Sequence, residues 1–248
     1  NMTQLMTVSA TPRERICLAI DFHDEKDILH TVDQLGDLVK YVKLNSAFTL
    51  HGAALIKKIL AKGVKIFLDL KLHDIPNTLA GYGDAVTRLG VHIVTVHVSG
   101  GSLMLGELIK SADRTAKALG IERPKFIGIT LLTSISQKIL NDEMNVQGLI
   151  QDEVLRKAQM AAEAGLNGIV CSVGELSYIR SFLPTDFIFV TPGVRPAGAN
   201  HDDHQRVYTY AEAAAAGSGL LVVGRSVLSS NDPRAALLSL HRELGSQK

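Results

Sequence analysis

Short apolar runs alternate with longer amphipathic segments along the whole chain. The runs are nearly continuous in aliphatic residues, which is typical of parallel strands buried on both faces. Eight strands are predicted, over residues 16–21, 41–45, 65–71, 93–98, 125–132, 168–172, 187–192 and 220–224. The segments between and after them predict helices over residues 25–36, 53–62, 77–89, 102–119, 152–164, 175–182, 208–216 and 233–244.

Eight strand–helix units in 248 residues predict a closed (β/α)8 barrel, the TIM-barrel fold of the α/β class. The alternative is an open doubly wound sheet, although no G-x-G-x-x-G follows the first strand. No linker or low-complexity tract interrupts the alternation, and the hydrophobic content of 46% suffices for one large core. We therefore expect a single barrel domain over residues 16–248, preceded by an N-terminal extension over residues 1–15. Asn1 before Met2 is typical of a residue left by an expression vector.

The charge and cysteine content argue against several classes of protein. With 26 basic and 25 acidic residues the net charge is +1, so no global field attracts nucleic acid or a membrane surface. Cys17 and Cys171 lie in apolar runs and are interpreted as small core residues, although the sequence leaves a bond between them open. No apolar stretch is long enough to span a membrane, and residues 1–9 lack a signal-peptide pattern. These features predict a soluble cytoplasmic protein.

At the end of the third predicted strand, three charges of alternating sign fall within six positions, in the string of residues 69–78, Asp-Leu-Lys-Leu-His-Asp-Ile-Pro-Asn-Thr. Asp69 and Lys71 are two positions apart on a strand and are expected to project from the same face. Asp74 follows where the chain must turn, and Pro76 suits the first turn of the next helix. Taken alone, the pattern also fits an ion pair followed by an ordinary helix start with Asp74 near the cap.

Other polar residues stand at the ends of the predicted strands. In a barrel the active site lies where the strands end and the βα loops begin. In chain order, the polar residues at these positions are Asp21, Lys43, Asp69, Lys71, His97, Thr133, Ser134, Arg195 and Arg225. One charge at a strand end is usually solvated, but two Asp, two Lys and two Arg on one rim indicate a site for an anionic substrate.

The loops after the seventh and eighth strands are the usual phosphate-binding loops of these barrels. Residues 192–196, Pro-Gly-Val-Arg-Pro, open a long segment that ends at Val207, and Gly224-Arg225 follows the eighth strand. Glycine lets backbone N–H groups approach phosphate oxygens, and arginine is a planar bidentate donor. The segment from Arg195 to Val207 is interpreted as a lid or as an ordinary surface loop. Its residues 201–204, His-Asp-Asp-His, are a poorly preorganised metal site, so a solvated surface is favoured and no metal is predicted.

The string at residues 69–78, together with Leu18-Ala19-Ile20-Asp21 and Gly224-Arg225, closely resembles the bacterial orotidine 5'-phosphate decarboxylase family. The resemblance spans nearly the whole chain. It implies conversion of orotidine 5'-phosphate to uridine 5'-phosphate and CO₂, the last step of UMP biosynthesis, without a cofactor. It also implies a homodimer in which each subunit places Asp74, Ile75 and Thr78 in the neighbouring site.

The same resemblance implies roles for individual residues. Lys71 would be the general acid that protonates C6, in a charged network whose four members are Lys43, Asp69, Lys71 and Asp74. Asp21 and Lys43 would hold ribose hydroxyls, and Thr133 would contact the pyrimidine. The residues on the phosphate side would be Arg195, Gln205, Gly224 and Arg225.

Two other functions remain open from the sequence. A sugar-phosphate lyase of related barrel architecture would share an Asp-x-Lys-x-x-Asp strand end but would act through a metal-bound enediolate. Residues 75–78 and the segment 195–205 favour the nucleotide enzyme over this lyase. A catalytically silent nucleotide-binding module is disfavoured, because binding alone does not need a charged network.

Overall fold

The computed structural model of the protein describes residues 10–197 and 207–246. Its strands are β1 (Ile16–Ala19), β2 (Tyr41–Leu44), β3 (Lys65–Leu72), β4 (Ile93–His97), β5 (Lys125–Ile129), β6 (Gly168–Val170), β7 (Ile188–Thr191), β8 (Val194–Arg195), β9 (Tyr208–Thr209) and β10 (Leu220–Val223). Eight of them form a closed barrel in the order β1-β10-β7-β6-β5-β4-β3-β2, while β8 and β9 pair with each other. The predicted (β/α)8 barrel is therefore confirmed.

Nine α-helices lie within the described residues. They are α1 (Glu25–Leu35), α2 (Ser46–Leu60), α3 (Pro76–Leu89), α4 (Ser102–Leu119), α5 (Ile150–Ala164), α6 (Val173–Ile179), α7 (Tyr210–Ala216), α8 (Arg225–Leu228) and α9 (Pro233–Gly245). A π-helical segment also spans Ile139–Glu143 in the connection between β5 and α5.

Three of the predicted boundaries are wrong by three residues or more, and one of them is the end of α6, which lies at Ile179 rather than at residue 182. Helix α2 begins at Ser46 rather than at residue 53, because Gly52 has a φ of 56° and interrupts an otherwise longer helix. The predicted helix over residues 53–62 corresponds to the part of α2 that follows Gly52. Strand β5 ends at Ile129 rather than at residue 132, and the chain then turns over residues 132–135, where the N–H of Ile135 donates to the carbonyl of Leu132 at 2.9 Å. The apolar run is thus longer than the strand.

The chain folds as two compact units. The first contains residues 10–69, 190–197 and 207–246, and its strands β1, β2 and β3 pair in parallel through Ala19, Lys43 and Phe67. The interior is formed by fully buried aliphatic side chains, among them Leu18 and Leu68. Helix α9 packs against α1, α7 and α8 on this unit.

The second unit contains residues 70–189. Strands β4 and β5 pair along their whole length, from Ile93 opposite Lys125 to His97 opposite Ile129. Helices α3 and α4 pack closely at Gly83. A Cβ at this position would lie only 2.5 Å from the carbonyl oxygen of Leu108. This close approach requires glycine at position 83.

Both cysteines, Cys17 and Cys171, are buried and unbonded, as expected for small core residues. Burial raises the pKa of both thiols well above its ordinary value. None of the helices in residues 10–197 and 207–246 combines the length and apolarity needed to cross a bilayer.

Helix α6 begins with a capping box whose carboxylate is largely withdrawn from water. The N–H of Ser172 donates to Glu175 Oε2 at 2.8 Å, and the N–H of Glu175 donates to Ser172 Oγ at 3.2 Å. Burial raises the pKa of Glu175 above its usual 4.5, although the hydrogen bonds from Ser172 oppose this rise. The folded chain therefore binds a proton more tightly than the unfolded chain, and stability decreases as the pH rises through the raised pKa.

We predict that Glu175→Gln raises the free energy of unfolding relative to the parent chain at about pH 7.5 and that this gain shrinks at about pH 4.5. Glutamine still accepts the hydrogen bond from Ser172, but it carries no charge that burial disfavours. Urea unfolding at both pH values measures the difference. The matched control is Glu212→Gln in the capping box of α7, where the side chain is exposed and no pH-dependent gain is expected. A gain of equal size at both pH values would contradict the prediction.

Candidate active site

Strand β3 carries the central charged residues. Its middle is apolar and fully buried at Ile66 and Leu68, and its end carries Asp69 and Lys71. Lys43 on β2 is opposite Phe67, two positions before Asp69, so the Lys43 and Asp69 side chains emerge on the same face of the paired strands. This register explains the ion pair of 3.1 Å between Lys43 Nζ and Asp69 Oδ2.

This ion pair is shielded from water. Only 15% of the Lys43 side chain and 6% of the Asp69 side chain are exposed. An ion pair with so little solvent around it is weakly screened by salt, and its charge-assisted hydrogen bond restrains both side chains. The pair therefore gives the first unit a preorganised ammonium on β2 and a preorganised carboxylate on the neighbouring β3.

Asp21 lies next to this pair in the strand order. It follows β1, whose Ala19 is opposite Lys43, and the N–H of Ile20 donates to the Lys43 carbonyl at 3.0 Å. The Asp21 side chain is exposed and accepts a long hydrogen bond of 3.4 Å from Asn45 Nδ2. Its carboxylate is accessible to hydroxyl groups of a ligand.

The arginines proposed for phosphate lie on neighbouring segments of the same unit. Arg195 is in β8, which contacts β10, and β10 is followed by Gly224 and Arg225. Arg225 is exposed, while Arg195 is partly exposed and its Nη1 donates to the carbonyl of Val194 at 3.0 Å. Pairing of β8 with β9 joins the two ends of the predicted lid, opposite residues being Val194 with Tyr208 and Arg195 with Thr209. Gln205 and residues 201–204 lie outside the described residues.

Lys71 has an unusual backbone conformation in the second unit. Its φ is 45°, in the left-handed region, and its N–H donates to Thr95 Oγ1 on β4 at 2.9 Å. The rule that side chains alternate between faces presumes an extended backbone. The alternation rule therefore does not decide the direction of the Lys71 side chain, and the shared face with Asp69 stays a prediction.

Residues 73–75, which follow the buried Leu72, are exposed and lead into α3. The ring of His73 lies 5.4 Å from that of His97, the last residue of β4. Asp74 is exposed, and its Oδ1 accepts from the N–H of Ile75 at 2.7 Å. Ile75 itself is 64% exposed, and Pro76 begins α3 as predicted. Thr78 lies in the first turn of that helix and is partly exposed.

Thr133 follows β5 and is exposed. The structure therefore brings Lys43 and Asp69 into contact, holds Asp21 on the adjacent strand and places Arg195 beside β10. On the second unit, Asp74, Ile75, Thr78 and Thr133 are solvent-accessible and are available to a ligand or to another chain.

The sequence analysis missed a buried polar cluster on α5. Lys157 is 7% exposed, and its Nζ donates to Ser99 Oγ at 2.6 Å and lies 3.8 Å from Glu153. Hydrogen bonds from Arg156 hold the pKa of Glu153 below its usual value, and burial lowers the pKa of Lys157. The helical spacing could have revealed this cluster. Lys157 is three positions after Val154 and four before Ala161, so it falls on the buried face of α5, where a lysine needs a polar partner.

No group of three or more His, Cys, Asp or Glu that is placed to hold a metal ion occurs in residues 10–197 and 207–246. The charged residues that the structure does place are ammonium, guanidinium and carboxylate groups at the ends of barrel strands. Such a set suits a phosphorylated substrate that carries a further charge.

A closed (β/α)8 barrel with charged residues at its strand ends is typical of the (β/α)8-barrel enzymes, and this is the class of protein that the fold defines. Comparison with known proteins specifies the family. Residues 14–240 match the orotidine 5'-phosphate decarboxylase / HUMPS family, and the chain belongs to that family.

Relatives in this family are named orotidine 5'-phosphate decarboxylase. The protein of Moorella thermoacetica is 38% identical over 233 residues, which cover 94% of this chain and 92% of that protein. The protein of Lactiplantibacillus plantarum is 39% identical over 230 residues, which cover 92% and 97% of the two chains. The crystal structure of the Lactobacillus acidophilus enzyme is similar with a TM-score of 0.82 and 36% identity, covering 93% of this chain and 98% of that one.

Proposed function

We propose that this chain decarboxylates orotidine 5'-phosphate to uridine 5'-phosphate and CO₂, the last step of UMP biosynthesis, with Lys71 as the proton donor to C6. The observation that carries the proposal is the shielded ion pair between Lys43 on β2 and Asp69 on β3, the strand that also bears Lys71. Family membership and the names of the relatives support the same substrate. We propose that the barrel acts as one domain.

The reaction explains why charged groups are needed. Loss of CO₂ from C6 of the orotate ring leaves an electron pair in the plane of the ring, where the π system cannot delocalise it. No motif for an electron-sink cofactor occurs in the sequence, so we propose that no cofactor takes part. Stabilisation is then electrostatic and preorganised, and the C6–H bond forms with a proton from the Lys71 ammonium.

Asp69 is proposed to act on the bound substrate before CO₂ leaves. Two unit charges about 4 Å apart interact by about 4 kcal/mol at an effective dielectric constant of roughly 20. A carboxylate of the substrate placed against Asp69 is repelled, and the repulsion ends when neutral CO₂ departs. Because Lys43 holds Asp69 at 3.1 Å, the carboxylate cannot simply rotate away. The repulsion favours the transition state only if contacts elsewhere hold the substrate in place.

Those contacts are proposed at the phosphate and the ribose. Arg195, Gly224 and Arg225, with Gln205, are proposed to bind the phosphate through guanidinium, amide and backbone donors. Asp21 and Lys43 are proposed to bind the ribose hydroxyls, for which the exposed Asp21 carboxylate is suited. Thr133 is proposed to bind the pyrimidine with its exposed hydroxyl. Binding energy at these groups would force the substrate carboxylate towards Asp69.

We further propose a homodimer in which Asp74, Ile75 and Thr78 of each subunit enter the neighbouring site. The support is their position at the exposed start of α3, where 64% of the apolar Ile75 side chain is open to solvent. A large apolar side chain at that exposure is suited to burial against a second chain. A cytoplasmic location is proposed because both thiols are free, as is usual in that compartment.

We predict that the purified chain releases CO₂ from orotidine 5'-phosphate without added metal or cofactor. The decrease in orotate absorbance and the formation of uridine 5'-phosphate measure the reaction, and treatment with EDTA should leave the rate unchanged. The second candidate is a sugar-phosphate lyase that works through a metal-bound enediolate. It remains a candidate because the matched family also includes the HUMPS group. Lack of turnover of the nucleotide, or activity abolished by EDTA, would contradict the proposal and favour that lyase.

A further inference from the structure

The backbone at Lys71 is held in a conformation that residues with a side chain rarely adopt. Among the described residues, only Lys71 and Asn145 combine a positive φ with a residue other than glycine. Asparagine tolerates this region through local hydrogen bonds, whereas lysine has no such aid. Strained residues of this kind persist only where the surroundings hold them.

Thr95 provides such a contact. It lies in the middle of β4 and is 1% exposed, and its Oγ1 accepts the hydrogen bond from the Lys71 N–H at 2.9 Å. Strand β4 is itself fixed by its regular parallel pairing with β5, in which Thr95 is opposite Ile127. The acceptor for the Lys71 N–H therefore belongs to a rigid part of the second unit.

We propose that Thr95 is a positioning residue for Lys71: its hydroxyl holds the Lys71 backbone in the left-handed conformation and so directs the ammonium. The inference rests on the proposed function of Lys71 as the proton donor. Thr95 acts through the backbone N–H of Lys71.

The geometry of a strand end explains why this hydrogen bond matters. In an extended strand, a change of backbone conformation at one residue turns its side chain towards the other face. If the Lys71 N–H lost its acceptor, the residue would relax towards negative φ. Its Cα–Cβ bond would then point in a different direction, and the ammonium would move. A misplacement of about 1 Å can cost about 10²-fold in rate. Substrate binding through the phosphate and ribose would be unchanged, so kcat should fall while KM does not.

The test compares Thr95→Val, which keeps the shape but removes the acceptor, with Thr95→Ser, which keeps the hydroxyl. We expect kcat of Thr95→Val to fall by about 10- to 100-fold with KM within about twofold of the parent value. Thr95→Ser should retain most of kcat. The matched control is Thr87→Val, which removes another buried threonine hydroxyl of the same unit, one that donates to the carbonyl of Gly83 at 2.7 Å. Its kcat should remain at the parent value.

A crystal structure of Thr95→Val gives a second readout that does not depend on activity. We expect φ of Lys71 to return to negative values in that variant and to stay near 45° in Thr95→Ser. Parent-like kcat in Thr95→Val, an equal loss in Thr95→Ser, or an unchanged φ at Lys71 would each overturn the inference. If the parent chain itself fails to decarboxylate the nucleotide, the proposed function is wrong, whereas an active parent with an unaffected Thr95→Val refutes only the role of Thr95.

Discussion

Replacement of Lys71 by alanine should reduce turnover of orotidine 5'-phosphate below detection while leaving the binding of uridine 5'-phosphate measurable. Loss of a general acid alone costs about 10²- to 10⁴-fold, and this variant also loses the cation that is proposed to stabilise the developing carbanion. Arg195 and Arg225, which are proposed to bind the phosphate and so to provide most of the affinity for the product, are unchanged. A CO₂-release assay and calorimetric titration with uridine 5'-phosphate measure the two properties separately.

The same strand provides the control for this variant. Lys65 is the first residue of β3, is exposed and lies six positions before Lys71. Lys65→Ala removes an identical side chain from the opposite end of the strand, and its kcat should equal that of the parent. Retained turnover in Lys71→Ala would refute Lys71 as the acid. Loss of product binding would indicate instead that the substitution disturbs the whole site.

Mixing inactive Lys71→Ala and Asp74→Ala chains should restore about a quarter of the parent activity, if subunits exchange and pair at random. The proposed dimer places Asp74 in the neighbouring site. A mixed dimer therefore collects both lesions in one site and leaves the other intact. Half of the dimers are expected to be mixed, and half of their sites are functional. Activity after denaturation and refolding of the mixture, compared with each variant alone, measures the recovery.

Asp69→Ala gives the matched control for complementation. Asp69 and Lys71 are both proposed to serve the site of their own subunit, so every site in a mixture of Lys71→Ala and Asp69→Ala chains keeps one lesion. No recovery is expected from this pair. If proven mixed dimers of the Lys71 and Asp74 variants remain inactive, or if both mixtures recover equally, shared sites are contradicted.

The barrel could be predicted from sequence because hydrophobic burial determines it. A parallel strand covered by helices is apolar at almost every position, and β3 shows this at Ile66, Phe67 and Leu68. The end of β5 was misplaced for the same reason. Leu131 and Leu132 continue the apolar run, yet Leu132 is 40% exposed after the chain has left the strand. Hydrophobicity predicts burial, but it does not show where a ladder of hydrogen bonds stops.

The charged pair at β2 and β3 was also within reach of sequence analysis, since Lys43 and Asp69 each end an apolar run. What could not be predicted is the backbone of Lys71 and its link to Thr95. A threonine in the middle of a strand is an ordinary β-branched residue, and nothing in its sequence neighbourhood specifies an acceptor for a lysine N–H two elements away. That contact depends on the register of neighbouring strands, which a single sequence leaves open.

At Lys71, the positive φ places two requirements in conflict: the stability of the fold, which favours glycine, and the proposed proton transfer, which needs lysine. Glycine adopts that conformation without steric cost, so a selection for thermal resistance alone would reward glycine at position 71 and would discard the ammonium with it. Engineering of a hardier enzyme from this scaffold should therefore hold position 71 constant and seek its gains elsewhere. Keeping lysine there lowers the free energy of unfolding, and favourable packing elsewhere in the barrel must offset that loss.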